Sequence, residues 1–344
     1  MRTPIRIGSR GSQLALWQAG HIADRLRAAG HAVEIQIIRT TGDRMQHPAE
    51  LTETRADGIT ALPADGKGIF IKEIEEALAA GTIDLAVHSL KDLPTAIDPR
   101  FTLAAIPERA DARDAWVCEP YWALHTLPSG GRIGTTSPRR KAQLLALRPD
   151  VSFVELRGNI DTRLRKLELG ECDALVLAAA GLGRLQRTEW VHQRFATDEL
   201  TPAPGQGALA LETRAPGYAV FSEPENDAAV YEAVSALDHA ATRFAVTVER
   251  AALDALGGGC SLPIGVHCAP VGGSRQGSRG WPESRPDLWP DSWHIEAQVV
   301  APDGEQMIAL TRHSTSHVDP LSLGRQIAAS LEQRGALTLL GAQL

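Results

Sequence analysis

No apolar run in this chain approaches the roughly 18 residues needed to cross a bilayer. The opening stretch Met1-Arg2-Thr3-Pro4-Ile5-Arg6-Ile7-Gly8 carries neither an apolar signal core nor an Arg/Ser-rich transit segment. Those absences predict a cytoplasmic protein. Cysteine is scarce: Cys118, Cys172, Cys260 and Cys268 show no CxxC spacing and no close histidine partners, so neither a zinc site nor a disulfide framework is indicated. Phosphate loops of the GxxxxGK[ST] type and dinucleotide fingerprints are also missing. Positive charge is in the minority, 35 Lys+Arg against 42 Asp+Glu, and the net charge of −7 argues against a general polyanion binder. Any anion site must therefore be built locally.

What is present suits a globular chain of 344 residues, 43% hydrophobic and 22% charged, long enough for two or three domains of about 100 to 150 residues. Arg6-Ile7-Gly8-Ser9 reads as a strand leading to a helix capped by Ser12, with Ala15, Ala19, Ile22 and Leu26 on one face. Val33, Ile35 and Ile37 alternate as a strand. A polar segment from about Thr40 to Gly68 is long enough to be either a lid or a linker. Phe70, Ile74 and Leu78 mark the next helix, ended by Gly81, before the strand Asp84 to Val87. The pattern then recurs. Arg132-Ile133-Gly134-Thr135 echoes Arg6-Ile7-Gly8-Ser9, and the G-x-x-D-x-x-V of Gly170 to Val176 echoes Gly81 to Val87. Two related α/β lobes are expected, and ligands of such sheets bind beyond the carboxyl ends of the strands, so two lobes facing each other would share a cleft.

Pro202-Ala203-Pro204-Gly205-Gln206-Gly207 suits a hinge or return crossing. A third unit is expected to open with a helix through Phe244, Val248 and Leu256. Strands at Ile264–His267, Ile295–Val300 and Met307–Thr311 follow, then a helix from about Leu321 to Arg334. Gly272 to Pro290, rich in Gly, Pro, Ser and Trp, reads as a surface insertion. Cys118 and Cys172 read as packing residues.

Three features could carry chemistry. Gly257-Gly258-Gly259-Cys260 delivers a cysteine from a helix end, which makes either a plain helix stop or an exposed thiol. Lys91 and Asp92 follow a strand, as a surface pair or as a carboxylate placed for proton transfer. Arginines cluster at strand ends although the chain is acidic: Arg10, Arg139, Arg140, Arg157, Arg163 and Arg184. Ser137 caps a helix whose first turn holds Arg139 and Arg140, where cations oppose the helix dipole unless an anion arrives. Guanidinium forks match carboxylates bidentately, so a substrate with many acidic groups is expected.

Together these stretches resemble the porphobilinogen deaminase family. The resemblance rests on Ile7 to Ser12 with Leu14 to Gln18, Lys67 to Glu73, His88 to Pro94, Gly134 to Arg140, Leu156 to Asn159, Pro204 to Ala208 and Gly258 to Gly265, in the family's order. It implies an α/β fold of two periplasmic-binding-protein-like (type II) lobes with mixed five-stranded sheets plus a smaller α+β C-terminal domain. The expected boundaries are 1–107 with 207–236, then 112–201, then 240–344. It also implies a dipyrromethane cofactor held by a thioether to Cys260, and addition of four porphobilinogen units with loss of ammonia to give hydroxymethylbilane. By motif position Asp92 is the catalytic acid/base. Arg10, Ser12, Lys91, Ser137, Arg139, Arg140, Arg157, Arg163, Arg184 and Gln206 bind cofactor and substrate. Lys67 and Phe70 belong to the lid, and no metal is implied. A monomer that passes its product to uroporphyrinogen III synthase is the expected assembly. Between Gly42 and Lys67 the chain is longer than the family's bacterial pattern, with Glu50 to Ala64 as the extra material. The competing class is a solute-binding or effector-sensing protein; an aldolase-like Schiff-base enzyme on Lys91 is a third reading.

Overall fold

Helices and strands alternate through the first two thirds of the chain because short apolar strands repeatedly meet helices with one apolar stripe. In the computed structural model the described residues are 4–40, 71–217, 224–259, 262–271, 290, 292–315 and 317–340. The chain forms two compact units, Met1–Pro107 with Leu209–His239, and Glu108–Ala208 with Ala240–Leu344.

In chain order the first unit opens with β1 (Ile5–Ser9), α1 (Gln13–Ala28), β2 (Val33–Ile37), α2 (Lys72–Ala79), β3 (Leu85–Ser89) and β4 (Phe101–Ala105). The second unit follows with β5 (Asp114–Val117), β6 (Arg132–Gly134), α3 (Pro138–Leu147), β7 (Ser152–Val154), α4 (Ile160–Glu168), β8 (Ala174–Ala178), α5 (Ala179–Arg184) and β9 (Gln193–Arg194). The chain then returns to the first unit for β10 (Leu209–Arg214) and α6 (Pro224–Ser235). The rest belongs to the second unit: α7 (Ala240–Ala255), β11 (Ile264–Val271), β12 (Ser292–Val300), β13 (Met307–Thr315), α8 (Pro320–Gln333) and α9 (Ala336–Leu340).

The first unit is built on a five-stranded sheet of order β2-β1-β3-β10-β4. β1 pairs in parallel with both β2 and β3, whereas β10 runs antiparallel to β3 and β4. Ile5, Ile7, Leu85 and Val87 turn one face toward Ala19, Ile22, Ala23 and Leu26 of α1 and Val230 and Val234 of α6. On the other face Ala86 packs with Ile74 and Leu78 of α2, Ile83 and Phe101. Fully burying a side chain such as Ile7 or Leu26 contributes about 1.5–3 kcal/mol, so the two-sided burial of β1 and β3 organises the lobe. Ser12 caps α1, accepting from the Ala15 N–H at 3.3 Å.

The second unit contains a sheet with the same plan, β7-β6-β8-β5-β9. β6 is parallel to β7 and β8, and β5 is antiparallel to β8 and β9. The repeated motifs occupy equivalent places. Arg6 on β1 clasps Asp84 with its backbone N–H at 3.0 Å and its Nη2 at 2.7 Å, and Arg132 on β6 clasps Asp173 at 2.8 Å through each of the same two groups. A side chain at Gly134 would collide with Leu156 and Leu175 and reach the Cys172 sulfur at 3.0 Å, so the glycine of this echo is required by close packing. Cys118 and Cys172 are buried, as is Cys268.

The remainder of the second unit is a three-stranded antiparallel sheet, β11-β12-β13. Its inner face packs Val266, Trp293, Ile295 and Val299 against Phe244, Val248 and Ala252 of α7 and Leu323 and Ile327 of α8. These strands run further than their apolar residues alone predict. Along β13 the alternation continues through Arg312, Ser314 and Thr315, and backbone pairing with β12 extends to Thr315. Pairing across the sheet, rather than side-chain hydrophobicity, sets the strand ends. A buried ion pair of Arg109 with Glu249, 2.6 Å from Nη1 to Oε1, ties α7 to the segment before β5, and Glu249 also accepts from the Gly205 and Cys268 N–H groups.

Candidate functional site

Parallel pairing places the carboxyl ends of β1 and β3 on one edge of the first sheet. Arg10 and Ser12 follow β1 there, and Lys91 and Asp92 follow β3. Beyond Ser89 the chain makes a single 3-10 turn, Leu90–Asp92, closed by the Leu93 N–H on the Leu90 carbonyl at 3.2 Å. Leu90 and Leu93 are buried, so they hold the turn to the core and leave Asp92 exposed and Lys91 half-buried. The Ser89 hydroxyl accepts from Gln18 Nε2 of α1 at 3.0 Å.

The second sheet gathers its functional edge in the same way. After β6, Ser137 caps α3, accepting from the Arg140 N–H at 3.4 Å, with Pro138 at the first helical position. After β7, Arg157 is 85% exposed and 3.7 Å from Glu155. Asn159 caps α4, accepting from the Thr162 N–H at 3.0 Å, and Arg163 Nε donates back to the Gly158 carbonyl at 2.9 Å. After β8, Arg184 Nη2 donates to the Gly207 carbonyl at 2.7 Å, and burial pushes its guanidinium down to about 10.

Three of the expected binding residues point inward. Arg140 donates through Nε and Nη2 to Asp114 Oδ1 at 2.9 and 2.7 Å. Arg139 Nη1 lies 2.8 Å from Asp114 Oδ2 and donates to the Thr201 carbonyl at 2.7 Å. Gln206 Nε2 donates to the Ala112 carbonyl at 2.7 Å and to Asp114 Oδ1 at 3.0 Å. Burial first, then the neighbouring Arg140 cation, lower the Arg139 pKa against the pull of Asp114. The helix-dipole conflict read in the first turn of α3 is thus answered by a carboxylate of the protein's own. Asp114 escaped the sequence reading, although a lone acid opening the apolar strand Asp114-Ala115-Trp116-Val117 is its signal. The same signal marks Glu212, inside Leu209-Ala210-Leu211-Glu212.

α7 ends in a Schellman arrangement. Gly257 has φ +73°, its N–H donates to the Asp254 carbonyl at 3.0 Å, and the Gly258 N–H reaches back to Leu253 at 2.9 Å. Two of the three glycines are therefore a helix stop. Cys260 itself lies outside the described residues, as do Lys67, Phe70 and the extended 42–67 segment, and residues 272–289 of the insertion.

Two five-stranded α/β sheets of one topology, each with charged side chains on the turns beyond its parallel strands, and a three-stranded antiparallel sheet packed on helices make up the fold. The profile "Porphobilinogen deaminase, dipyromethane cofactor binding domain" matches residues 5–220, and "Porphobilinogen deaminase, C-terminal domain" matches 243–333. A porphobilinogen deaminase of Corynebacterium efficiens is 41% identical over 337 residues, covering 98% of this chain and 99% of that one. One of Roseiflexus castenholzii is 41% identical over 343 residues, covering 99% of each. The chain belongs to the porphobilinogen deaminase family. A methionine-binding lipoprotein of Bacillus subtilis superposes loosely, with 12% identity and a TM-score of 0.38 over 67% of this chain and 90% of that one. Among the described residues no helix is long and apolar enough to cross a membrane.

Proposed function

We propose that this chain condenses four porphobilinogen molecules, each losing ammonia, on a dipyrromethane primer attached to Cys260, and releases hydroxymethylbilane. Its membership of the family carries this reading, and the exposed Asp92, next to Lys91 and on the same sheet edge as Arg10, is the structural feature that supports the chemistry. Each pyrrole ring bears an acetate and a propionate. A polycarboxylate of this kind fits the arginines at the strand ends of the second sheet: Arg157 extends into solvent, and the desolvated Arg184 gains from an arriving anion. Arg10, Ser12, Ser137, Arg157, Arg163 and Arg184 would hold the acidic side chains, with Arg139, Arg140 and Gln206 shaping the wall through Asp114. When bound, the dipyrromethane would supply the free ring carbon to which the first unit is joined, each later unit being joined to the one before it.

Asp92 accepts pyrrole N–H groups and stabilises the positive charge that develops as the amine leaves as ammonia. Lys91, on the same turn, binds substrate carboxylate. Gly257 and Gly258 stop α7 just before the anchoring cysteine, so the attachment point is separated from helix α7. The chain reads as three domains with the boundaries given above. It acts as a cytoplasmic monomer whose product passes to uroporphyrinogen III synthase.

Intact mass and Ehrlich's reagent test the assignment together. Denatured wild-type protein is expected to carry the added mass of two pyrrole units and to give a coloured adduct, and Cys260→Ser is expected to lose both. A wild-type mass equal to that of the polypeptide alone removes the anchor.

A further inference from the structure

Strand β10 carries an acid that the proposed chemistry leaves without a task. Glu212 is 0% exposed, and its Oε2 lies 3.0 Å from His88 Nε2. Its Oε1 has no hydrogen-bond partner among the described residues. A buried carboxylate with one oxygen unanswered is costly, and proteins keep such groups mainly where the charge is used. Glu75 of α2 belongs to the same cluster. Burial first, and the charge of Glu212 second, hold its carboxyl above the ordinary range.

The pair joins β10 to the turn that carries Asp92. In the ladder His88 lies opposite Ala210 and Glu212 opposite Ala86, so the two side chains share one sheet face on a diagonal. His88 is the penultimate residue of β3, and the Leu90–Asp92 turn begins two residues later. That turn is fastened to the lobe at two successive residues, by Ser89 to Gln18 of α1 and by His88 to Glu212 of β10. Only the second fastening involves a carboxylate, and it lies in the buried interior.

We propose that Glu212, acting through His88, is a positioning residue that sets the Lys91–Asp92 turn for catalysis. This rests on Asp92 being the catalytic group. Structural and positioning roles predict different outcomes for Glu212→Gln. The amide keeps the volume but offers His88 only a neutral, weaker acceptor, and it removes a buried charge that has one oxygen unanswered among the described residues. The fold is therefore expected to be as stable as wild type or more so, while function suffers.

The test uses full-length protein with its pyrrole adduct verified by mass. Glu212→Gln is expected to keep the adduct and a urea midpoint no lower than wild type, to leave KM for porphobilinogen within about twofold, and to lower kcat about tenfold or more. His88→Gln, which retains a donor toward Glu212, is expected to recover kcat to within about threefold of wild type, whereas His88→Ala follows Glu212→Gln. The proposal is overturned by a Glu212→Gln kcat within twofold of wild type, by a kcat loss that tracks a lowered urea midpoint, or by a raised KM at unchanged kcat. His88→Gln performing no better than His88→Ala overturns it too, and decides the matter if Glu212→Gln does not fold. Asp92→Ala run alongside separates the levels. Wild-type turnover there removes the assignment beneath, while an inactive Asp92→Ala with an active Glu212→Gln removes only the positioning role.

Discussion

Each five-stranded sheet takes its fourth strand, antiparallel to its neighbour, from the segment that follows a crossing of the chain between units, and each of those strands holds one fully buried acid. On β5 that acid is Asp114, with guanidinium nitrogens of Arg139 and Arg140 at 2.7–2.9 Å and the Gln206 amide at 3.0 Å. On β10 it is Glu212, with one histidine nitrogen at 3.0 Å and its Oε1 without a hydrogen-bond partner among the described residues. The same topological position thus holds an acid gripped by two guanidiniums and an amide in one sheet and an acid paired with a single histidine in the other. Removing one partner of a buried pair leaves the other charge unanswered, and Asp114 would leave two guanidiniums in that state where Glu212 would leave one histidine.

Removing the exposed acid of the first lobe should give the largest effect. Asp92→Ala is expected to fold as wild type and to lose at least about 100-fold in kcat, because a positioned acid/base contributes that much or more. Retention of wild-type turnover in steady-state assays would remove the first lobe's claim to the chemistry. In the second lobe the expected loss is structural. Asp114→Ala strands two buried arginines and should destabilise by about 3–5 kcal/mol in urea unfolding. A change below about 1 kcal/mol would mean that the buried network contributes no more than an exposed pair.

The smallest effect compares the twin clasps under acid. Burial opposes ionisation of Asp84, but hydrogen bonds from Arg6 and Arg214 outweigh it and hold its pKa below the ordinary 3.8; the hydrogen bond from Arg132 does the same for Asp173. A carboxyl depressed in the folded state contributes stability that is present above its unfolded value and is lost as pH falls through the folded one. Stability should therefore decline below about pH 4. Asp84→Asn should remove more of that decline than Asp173→Asn, because Asp173 is 34% exposed and screened while Asp84 is 3% exposed. Urea midpoints between pH 3 and 7 measure it, and equal slopes for the two variants would break the distinction.

Much of this architecture was legible in the residues. The two R-I-G echoes and the two G-x-x-D-x-x-V echoes identified paired lobes, and the structure shows why both travel together: the arginine of one motif clasps the aspartate of the other. Ser12 and Ser137 were readable as caps because a hydroxyl just before an apolar stripe has few other local uses. The strand-end arginines were readable as a set, but not their division into Arg157 and Arg184 at the edge and Arg139 and Arg140 turned inward. That division depends on Asp114, 25 and 26 residues away, whose place as a lone acid opening an apolar strand announces a buried charge but not which residues answer it.

Local order was therefore determined by the sequence itself, since periodicity, capping hydroxyls and helix-stopping glycines act within a few residues. What only the tertiary structure decided is the partner of each buried charge. β10 returns to the first sheet after more than a hundred residues, and its return brings Glu212 to His88 across 124 positions of sequence. Such pairings are fixed by sheet register and by the cost of burying charge without an answer, and neither acts until the distant strands have met.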